Sequence, residues 1–217
     1  MARTPNATAG ASLSGNLREP STSNPRTIIT VRRATNLQEL EDQFTDVAAR
    51  FQSLIQSAGD QLSSAPPAPG AWSAAQCLHH LNISSDAYFP VWQQVIANAG
   101  PRKTMLNAPY PLDFWGRLLS WILEPPARIR SKTPVAFEPF ESTGIGPLLD
   151  GFLDRQQQII ATLHRCRGRA IDQVKMASPA DPRIRYSIWS SFVIVAAHQR
   201  RHLCQAQQAI AKLRTTN

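Results

Sequence analysis

Apolar residues recur at alternating steps of three and four positions in several long stretches of the chain. The first stretch is made up of Leu37, Leu40, Phe44, Val47, Phe51, Leu54 and Ala58. This spacing places its members on one face of an α-helix, as in a helical bundle. Asn36 can cap the N-terminus of this helix while Glu39 reaches back toward it. Three prolines and a glycine at 66–70 predict its end.

A second helix is predicted to begin after Ser73, whose side chain can form a capping box with Gln76. It should run to about Ala97. Pro90 lies inside this stretch, where a proline removes one backbone donor and clashes with the preceding turn. A kink or a break is therefore expected at Pro90.

Two further amphipathic helices are predicted in the second half of the chain. One covers the apolar positions from Leu148 to Leu163 and stops near Gly168, and the other runs from about Tyr186 to Leu213. With no convincing strand pattern, the four long helices predict an all-α protein, a four-helix bundle with a long connection between helices 2 and 3.

That connection, from Ala99 to Pro147, is irregular and rich in proline except for an apolar island at Phe114 to Leu123. The island predicts a short helix. A lid over a cavity, a contact in a homodimer and ordinary core packing are its three possible roles, and core packing is the preferred one.

The N-terminal part of the chain differs in composition from the rest. Residues 1–35 are rich in Ser, Thr, Asn and Pro and carry few large apolar groups, so burial cannot offset the entropy of ordering them. We therefore expect a disordered tail at 1–35 and the folded domain at 36–214.

The chain is basic, with 23 Lys and Arg against 15 Asp and Glu. Half of the excess of eight lies in the first 36 residues, and the segment 100–132 is locally basic as well. Because no helix carries a dense stripe of Lys and Arg interleaved with aromatic residues, a solvated surface is favoured over nucleic-acid binding.

Membrane insertion and secretion are not expected. No apolar run approaches the roughly 20 residues of a membrane-spanning helix, and the N-terminus has no apolar signal region. The three cysteines, Cys77, Cys166 and Cys204, are widely spaced and form no CxxC pair. These features predict a cytoplasmic protein with free thiols.

The histidines fall on different faces of the predicted helices. His198 and His202 are four residues apart, which places both imidazoles on one flank of the last helix, the geometry of a chelating HxxxH pair. His80 lies at the edge of the buried face of the second helix and can supply a third ligand. His79 is predicted on the solvated side, and His164 is expected to act as a helix C-terminal cation.

A metal site is weighed here against a simpler interpretation. A single half-buried histidine is more often a core residue satisfied by one hydrogen bond than a ligand. Three imidazoles on flanking faces favour a metal ion, because a divalent cation satisfies all three lone pairs at once. Imidazole ligands accept zinc, nickel, iron or copper, so the residues alone do not select the metal.

Two segments resemble the DinB-like superfamily of small bacterial four-helix bundles, also called DinB/YfiT-like. The segment from Trp72 to Leu81 is similar to the family's WSxx(E/Q)xxxHL pattern, and the segment from His198 to Gln205 is similar to its HxxxHxxQ pattern. The resemblance implies His80, His198 and His202 as metal ligands, with His79 as the alternative to His80. It also implies an up-down-down-up order of the helices.

The resemblance further implies an enzyme acting on a small-molecule substrate. A divalent ion (zinc, nickel or iron) would activate a thiol or water, giving either transfer of a low-molecular-weight thiol or hydrolysis. Arginines of the segment 100–132 could hold a carboxylate-bearing thiol. The alternative is a non-catalytic metal-binding or stress-related bundle whose ion stabilises the fold.

Overall fold

The computed structural model describes residues 33–104, 108–126, 128–129, 133–139 and 144–216. Residues 33–217 form one compact unit. The fold is mainly helical, which confirms the all-α prediction. Its elements are α1 (Leu37–Ser64), α2 (Ala74–Ile96), α3 (Phe114–Leu123), a 3₁₀ turn (Val135–Phe137), α4 (Ile145–Arg165), β1 (Lys175–Ala177), β2 (Arg185–Ser187) and α5 (Ile188–Thr216).

The start of α1 follows the predicted capping pattern with one difference. The Asn36 side chain accepts a hydrogen bond from the Glu39 amide at 2.9 Å. The Glu39 carboxylate reaches back to the amide of Thr35, at 2.6 Å. Ala34, just before it, is buried. Apart from residues 33–35, the tail predicted at 1–35 lies outside the described residues.

α2 begins with the predicted capping box. Ser73 accepts from the Gln76 amide, and the Gln76 side chain accepts from the Ser73 amide. These two bonds satisfy backbone donors that have no partner within the helix. The helix continues through Pro90 to Ile96, so the break considered at Pro90 does not occur.

The four long helices form a bundle in which α1 and α2 each pack against both α4 and α5. Aromatic side chains fill much of the interior, and the fully buried ones are Phe44, Phe51, Trp92, Phe152, Tyr186, Trp189 and Phe192. No helix in the described part of the chain is long and apolar enough to cross a membrane. The up-down-down-up order of the helices stays a prediction.

The connection between α2 and α4 (residues 97–144) contains the predicted short helix, α3, with the predicted bounds. α3 packs against α5, and Gly116 lies so close to Ser190 that a Cβ would have no room. The outer face of α3 exposes Phe114 and Trp121, which are 69% and 49% accessible. The helix therefore packs on the bundle through one face only, and a homodimer through its other face remains a prediction.

A two-stranded antiparallel hairpin, β1 and β2, precedes α5 and was not predicted. Met176 lies opposite Tyr186 in its register. Asp113, which caps α3, accepts hydrogen bonds from Lys175 and from the Ser187 amide, each at 2.6 Å. The hairpin is therefore tied to the connection, and it holds Tyr186 at the base of α5.

Candidate metal centre

The three predicted ligands lie together on two helices. His80 is in the second turn of α2, and His198 and His202 are one turn apart in the middle of α5. The Nε2 atom of His198 lies 3.0 Å from Nε2 of His80 and 3.1 Å from Nε2 of His202. The potential ligand atoms of all three residues are within 4.8 Å of one another. Two stretches of chain more than 100 residues apart therefore converge on one point.

A backbone carbonyl fixes the orientation of His80. Its Nδ1 atom lies 2.7 Å from the carbonyl oxygen of Phe137, in the 3₁₀ turn of the connection. Because a carbonyl only accepts hydrogen bonds, Nδ1 carries the proton and Nε2 keeps its lone pair. His80 is thus held in the tautomer that a metal ligand needs.

The spacing of the three Nε2 atoms fits a single divalent ion. In a tetrahedral zinc site with bonds of about 2.0–2.1 Å, neighbouring ligand nitrogens lie ~3.3 Å apart. The observed separations of 3.0 and 3.1 Å are close to this value. Three imidazole nitrogens that face one another cannot all be satisfied by hydrogen bonds among themselves, whereas a cation accepts all three lone pairs.

The surroundings of the three histidines keep them neutral. Withdrawal from water lowers the pKa of His80 and lowers the pKa of His198 to about 3, with His80 itself as a further cause at His198. Burial also lowers the pKa of His202 well below its ordinary value. Arg201 works in the same direction at His198 and His202. Neutral imidazoles are the form that binds metal.

The metal-free protein should lose stability as the pH falls below about 6.5. Below that pH the three imidazoles take up protons in the unfolded chain but remain neutral in the folded one, so protonation favours unfolding. Each imidazole that stays neutral contributes about 2 kcal/mol, so we expect the free energy of unfolding to drop by about 4–6 kcal/mol between pH 7 and pH 5. Urea unfolding at pH 7 and pH 5, in the presence of a chelator, measures this drop in the free energy of unfolding. A flat wild-type profile would contradict the prediction.

Trp72 packs against two of the three histidines, His80 and His202. Its indole ring lies 5.1 Å from the His80 ring and stacks on the His202 ring at 5.7 Å, measured between ring centroids. The sequence patterns did not predict this contact. Trp72 therefore shields one side of the site from water.

Arg200 and Arg201 lie between His198 and His202 in the sequence, but they point to different places. The buried guanidinium of Arg200 binds the Glu124 carboxylate at 2.7 and 2.8 Å and the Gln43 side chain at 2.7 Å. Arg201 is the one that lies at the site. It lines the cavity described below, and it donates to the carbonyl oxygens of Ile122 and Ile129.

The two other histidines lie apart from this group. His79 is buried, as is Asn82 one turn further on, so the prediction of a solvated face there was wrong. α2 packs against both α4 and α5, which covers more of its surface than one apolar stripe suggests. His164, in the last turn of α4, lies 3.0 Å from Glu41 on α1. The structure thus places His80, and not His79, with the pair on α5.

A cavity of about 1380 Å³ opens over the three histidines. α2, α5, the connection and the hairpin all contribute to its wall. Residues of its wall include Trp72, Tyr88, Leu123, Phe137, Tyr186 and Arg201, besides the three histidines. The volume exceeds that of a typical small-molecule site, so a reactant can reach the histidines.

A family model described as the DinB superfamily matches residues 43–206, about three quarters of the chain. The chain belongs to the DinB superfamily. The matched region begins within α1, ends within α5 and contains all three histidines. No curated protein and no solved structure matches the chain.

In this member of the DinB superfamily, the basic segment 100–132 supplies no described cation to the cavity wall. Arg128 lies over the Trp121 ring at 5.0 Å and donates to the Trp121 carbonyl. Leu119, Leu123 and Pro125 are the wall residues that the segment contributes among those described. Arg201 of α5 is the cation nearest in sequence to the ligands.

The three cysteines are free, as predicted. Cys77 is fully buried, and burial raises the pKa of its thiol far above the usual range. Burial also raises the pKa of Cys166 to about 12. Cys204 lines the cavity, but burial raises its pKa as well, which leaves it protonated at neutral pH. None of the three is an activated nucleophile.

Proposed function

We propose that this protein is a metal-dependent enzyme that activates a thiol or water for attack on a small electrophile. His80, His198 and His202 would hold a divalent ion of zinc, nickel or iron. The convergence of their three Nε2 atoms on the wall of a large cavity carries the proposal. Three protein ligands with room for a reactant are typical of catalytic metal sites, whereas structural zinc sites are closed by four protein ligands.

The residues around the three histidines orient them, keep them neutral and shield them from water. The Phe137 carbonyl orients His80, and burial keeps all three imidazoles neutral. Trp72 excludes water from one side of the rings. When bound, the ion supplies positive charge that lowers the pKa of a thiol or water at the open position. The cavity brings the electrophile to the same place and keeps the two reactants together.

A non-catalytic role for the ion is the second candidate. The ligands come from α2 and α5, and His80 and His198 are 118 positions apart in the chain, so an ion would join two distant helices. Such a cross-link stabilises the folded state because the unfolded chain does not present the same site. The size of the cavity favours catalysis, since a structural ion needs no open volume beside it.

Turnover separates the two candidates. The metal-loaded protein is mixed with chlorodinitrobenzene and a panel of low-molecular-weight thiols, and in parallel with an activated ester and no thiol. In the first reaction the sulfur–carbon bond forms, the carbon–chlorine bond breaks, and the thiol proton and chloride leave together. We expect metal-dependent turnover of one of the two reactant sets, lost in His198→Ala and retained in His164→Ala. Tight metal binding without turnover of either set would favour the stabilising role.

A further inference from the structure

One arginine in the wall of the cavity carries a positive charge without a counter-charge. Arg201 lies three positions after His198 and directly before His202, and it faces the cavity with them. Its guanidinium donates to the carbonyl oxygens of Ile122, at 3.2 Å, and Ile129, at 2.7 Å. Both acceptors are uncharged, and no carboxylate among the described residues forms an ion pair with Arg201.

The neighbouring Arg200 has the counter-charge that Arg201 lacks. The Arg200 guanidinium is buried against the Glu124 carboxylate, whereas Arg201 is partly exposed and opens on the cavity. A guanidinium has five N–H donors, and the carbonyls of Ile122 and Ile129 use two of those on Arg201. These two bonds therefore hold the Arg201 guanidinium in place and leave its charge and three donors for a molecule in the cavity.

The other charged residues of the cavity wall do not cancel the charge of Arg201. Asp181 pairs with Arg183 at 2.7 Å. Glu138, on the connection, is exposed and forms no ion pair in the described part of the chain. Lys212, near the end of α5, adds a second positive charge to the wall. The wall along α5 is therefore positively charged, which attracts an anion.

The cavity face of α5 changes in polarity at the histidines. Ile194 and Val195, before the histidines, make it apolar on the N-terminal side. After Arg201, three polar residues line the cavity at steps of four, three and four, the spacing of one helix face: Gln205, Gln208 and Lys212. A charged reactant is therefore accommodated on the C-terminal side of the histidines, where Arg201 lies.

We propose that Arg201 is a specificity-determining residue that binds the carboxylate of a small anionic reactant whose reacting atom lies at the three histidines. A carboxylate has one negative charge and two coplanar acceptor oxygens, which match the single charge and the forked donors of a guanidinium. Side chains three and four positions apart on a helix have Cβ atoms about 5–6 Å apart, so only a few bonds separate the carboxylate from the reacting atom. The proposal rests on the proposed function and names its substrate class; for thiol activation, that class is a mercaptocarboxylate.

Thiols of equal length with different end groups test the proposal. Mercaptobutyrate, its amide and the corresponding aminothiol are titrated into the cobalt(II)-loaded protein, and binding is followed through the sulfur-to-cobalt absorption band. Each thiol loses its proton to the buffer as its sulfur binds cobalt. Because a hydrogen bond between two charged groups is stronger than one to a neutral group, the carboxylate should bind about tenfold more tightly than the amide. The ammonium compound should bind most weakly.

Arg201→Gln is the decisive variant. It should reduce the preference for the carboxylate over the amide to less than about twofold, while the amide binds as in the wild type. Arg201→Lys, which keeps the charge and loses the fork, should show an intermediate preference. Arg214→Gln is the matched control, because it removes the same charge from the same helix. Arg214 donates to the Ser57 carbonyl outside the cavity wall, so this variant should keep the full preference.

A second measurement uses the metal-free protein. Butyrate is added while the Nε–Hε signal of Arg201 is followed by two-dimensional NMR, and the signal is assigned through its loss in Arg201→Gln. Butyrate should shift this signal, and butyramide should leave it in place. Because neither metal nor thiol is present, the shift does not depend on thiol activation.

The outcomes distinguish this inference from the proposed function. A carboxylate preference that survives in Arg201→Gln assigns the carboxylate to the cobalt ion or to Lys212 and overturns the role of Arg201. An equal loss of the preference in Arg214→Gln shows an effect of net charge alone and also overturns it. Absence of the absorption band with every thiol, together with a butyrate shift at Arg201, overturns thiol activation and leaves the carboxylate subsite in place. Absence of both the band and the shift overturns the two together.

Discussion

Replacement of His198 by alanine is expected to abolish tight metal binding. The Nε2 atom of His198 lies between those of His80 and His202, at 3.0 and 3.1 Å, so the substitution removes the central ligand. The loss should exceed the 10–100-fold that removal of an outer-shell partner typically costs, reaching about 1000-fold. Competition with a chromophoric chelator measures the affinity, and metal analysis of purified protein gives the occupancy.

Two control variants make this prediction specific. His79→Gln changes a buried imidazole next to His80 that lies outside the three-histidine group. His164→Ala changes an imidazole that contacts Glu41 on the surface. Both should retain metal affinity within a few fold of the wild type. Loss of metal from His79→Gln together with retention in His198→Ala would show that the three-histidine group is not the ligand set.

Glu124→Ala is expected to destabilise the metal-free protein by about 2–4 kcal/mol. The carboxylate of Glu124, directly after α3, accepts hydrogen bonds from Nε and Nη2 of Arg200, whose side chain is 6% exposed. Without the carboxylate, the buried cation keeps Gln43 as a partner but loses its counter-charge. The cost of an uncompensated buried charge exceeds the value of the lost pair itself. Guanidinium unfolding in the presence of a chelator measures the change.

The matched control for Glu124→Ala is Asp181→Ala, which breaks an exposed pair with Arg183. Solvent screens that pair, so the free energy of unfolding should stay close to the wild-type value. Equal effects of the two substitutions would contradict the importance assigned to burial at Arg200. A loss of metal affinity in Glu124→Ala in proportion to its lost stability would also link the bridge to the position of α5.

The helices were predictable because their signals are local. Apolar spacing and capping residues such as Ser73 and Gln76 act over a few positions, and even α3 was predicted with its observed bounds. The hairpin was missed because strands of three residues are too short to show an alternating pattern. The burial of His79 was missed because it depends on two packing partners of α2 rather than on one stripe.

The three histidines were predictable because two of them are four residues apart on one helix and the third lies in a recognisable helix start. Other groups around the three histidines had no comparable pattern in the sequence. The Phe137 contact with His80 uses a backbone oxygen, which is the same in every residue type. The hydroxyl oxygens of Tyr88 and Tyr186 lie 2.7 Å apart in the cavity wall, and only the folded structure shows that these two distant residues meet.

The hydrogen bond from His80 to the Phe137 carbonyl means that the orientation of one ligand depends on a segment that also lines the cavity. Changes in the length or sequence of the chain around Val135–Phe137 would alter the metal affinity and the access of reactants together. The side chains that bind the metal would stay the same. In protein engineering, grafting this segment from another bundle would exchange both properties in a single step.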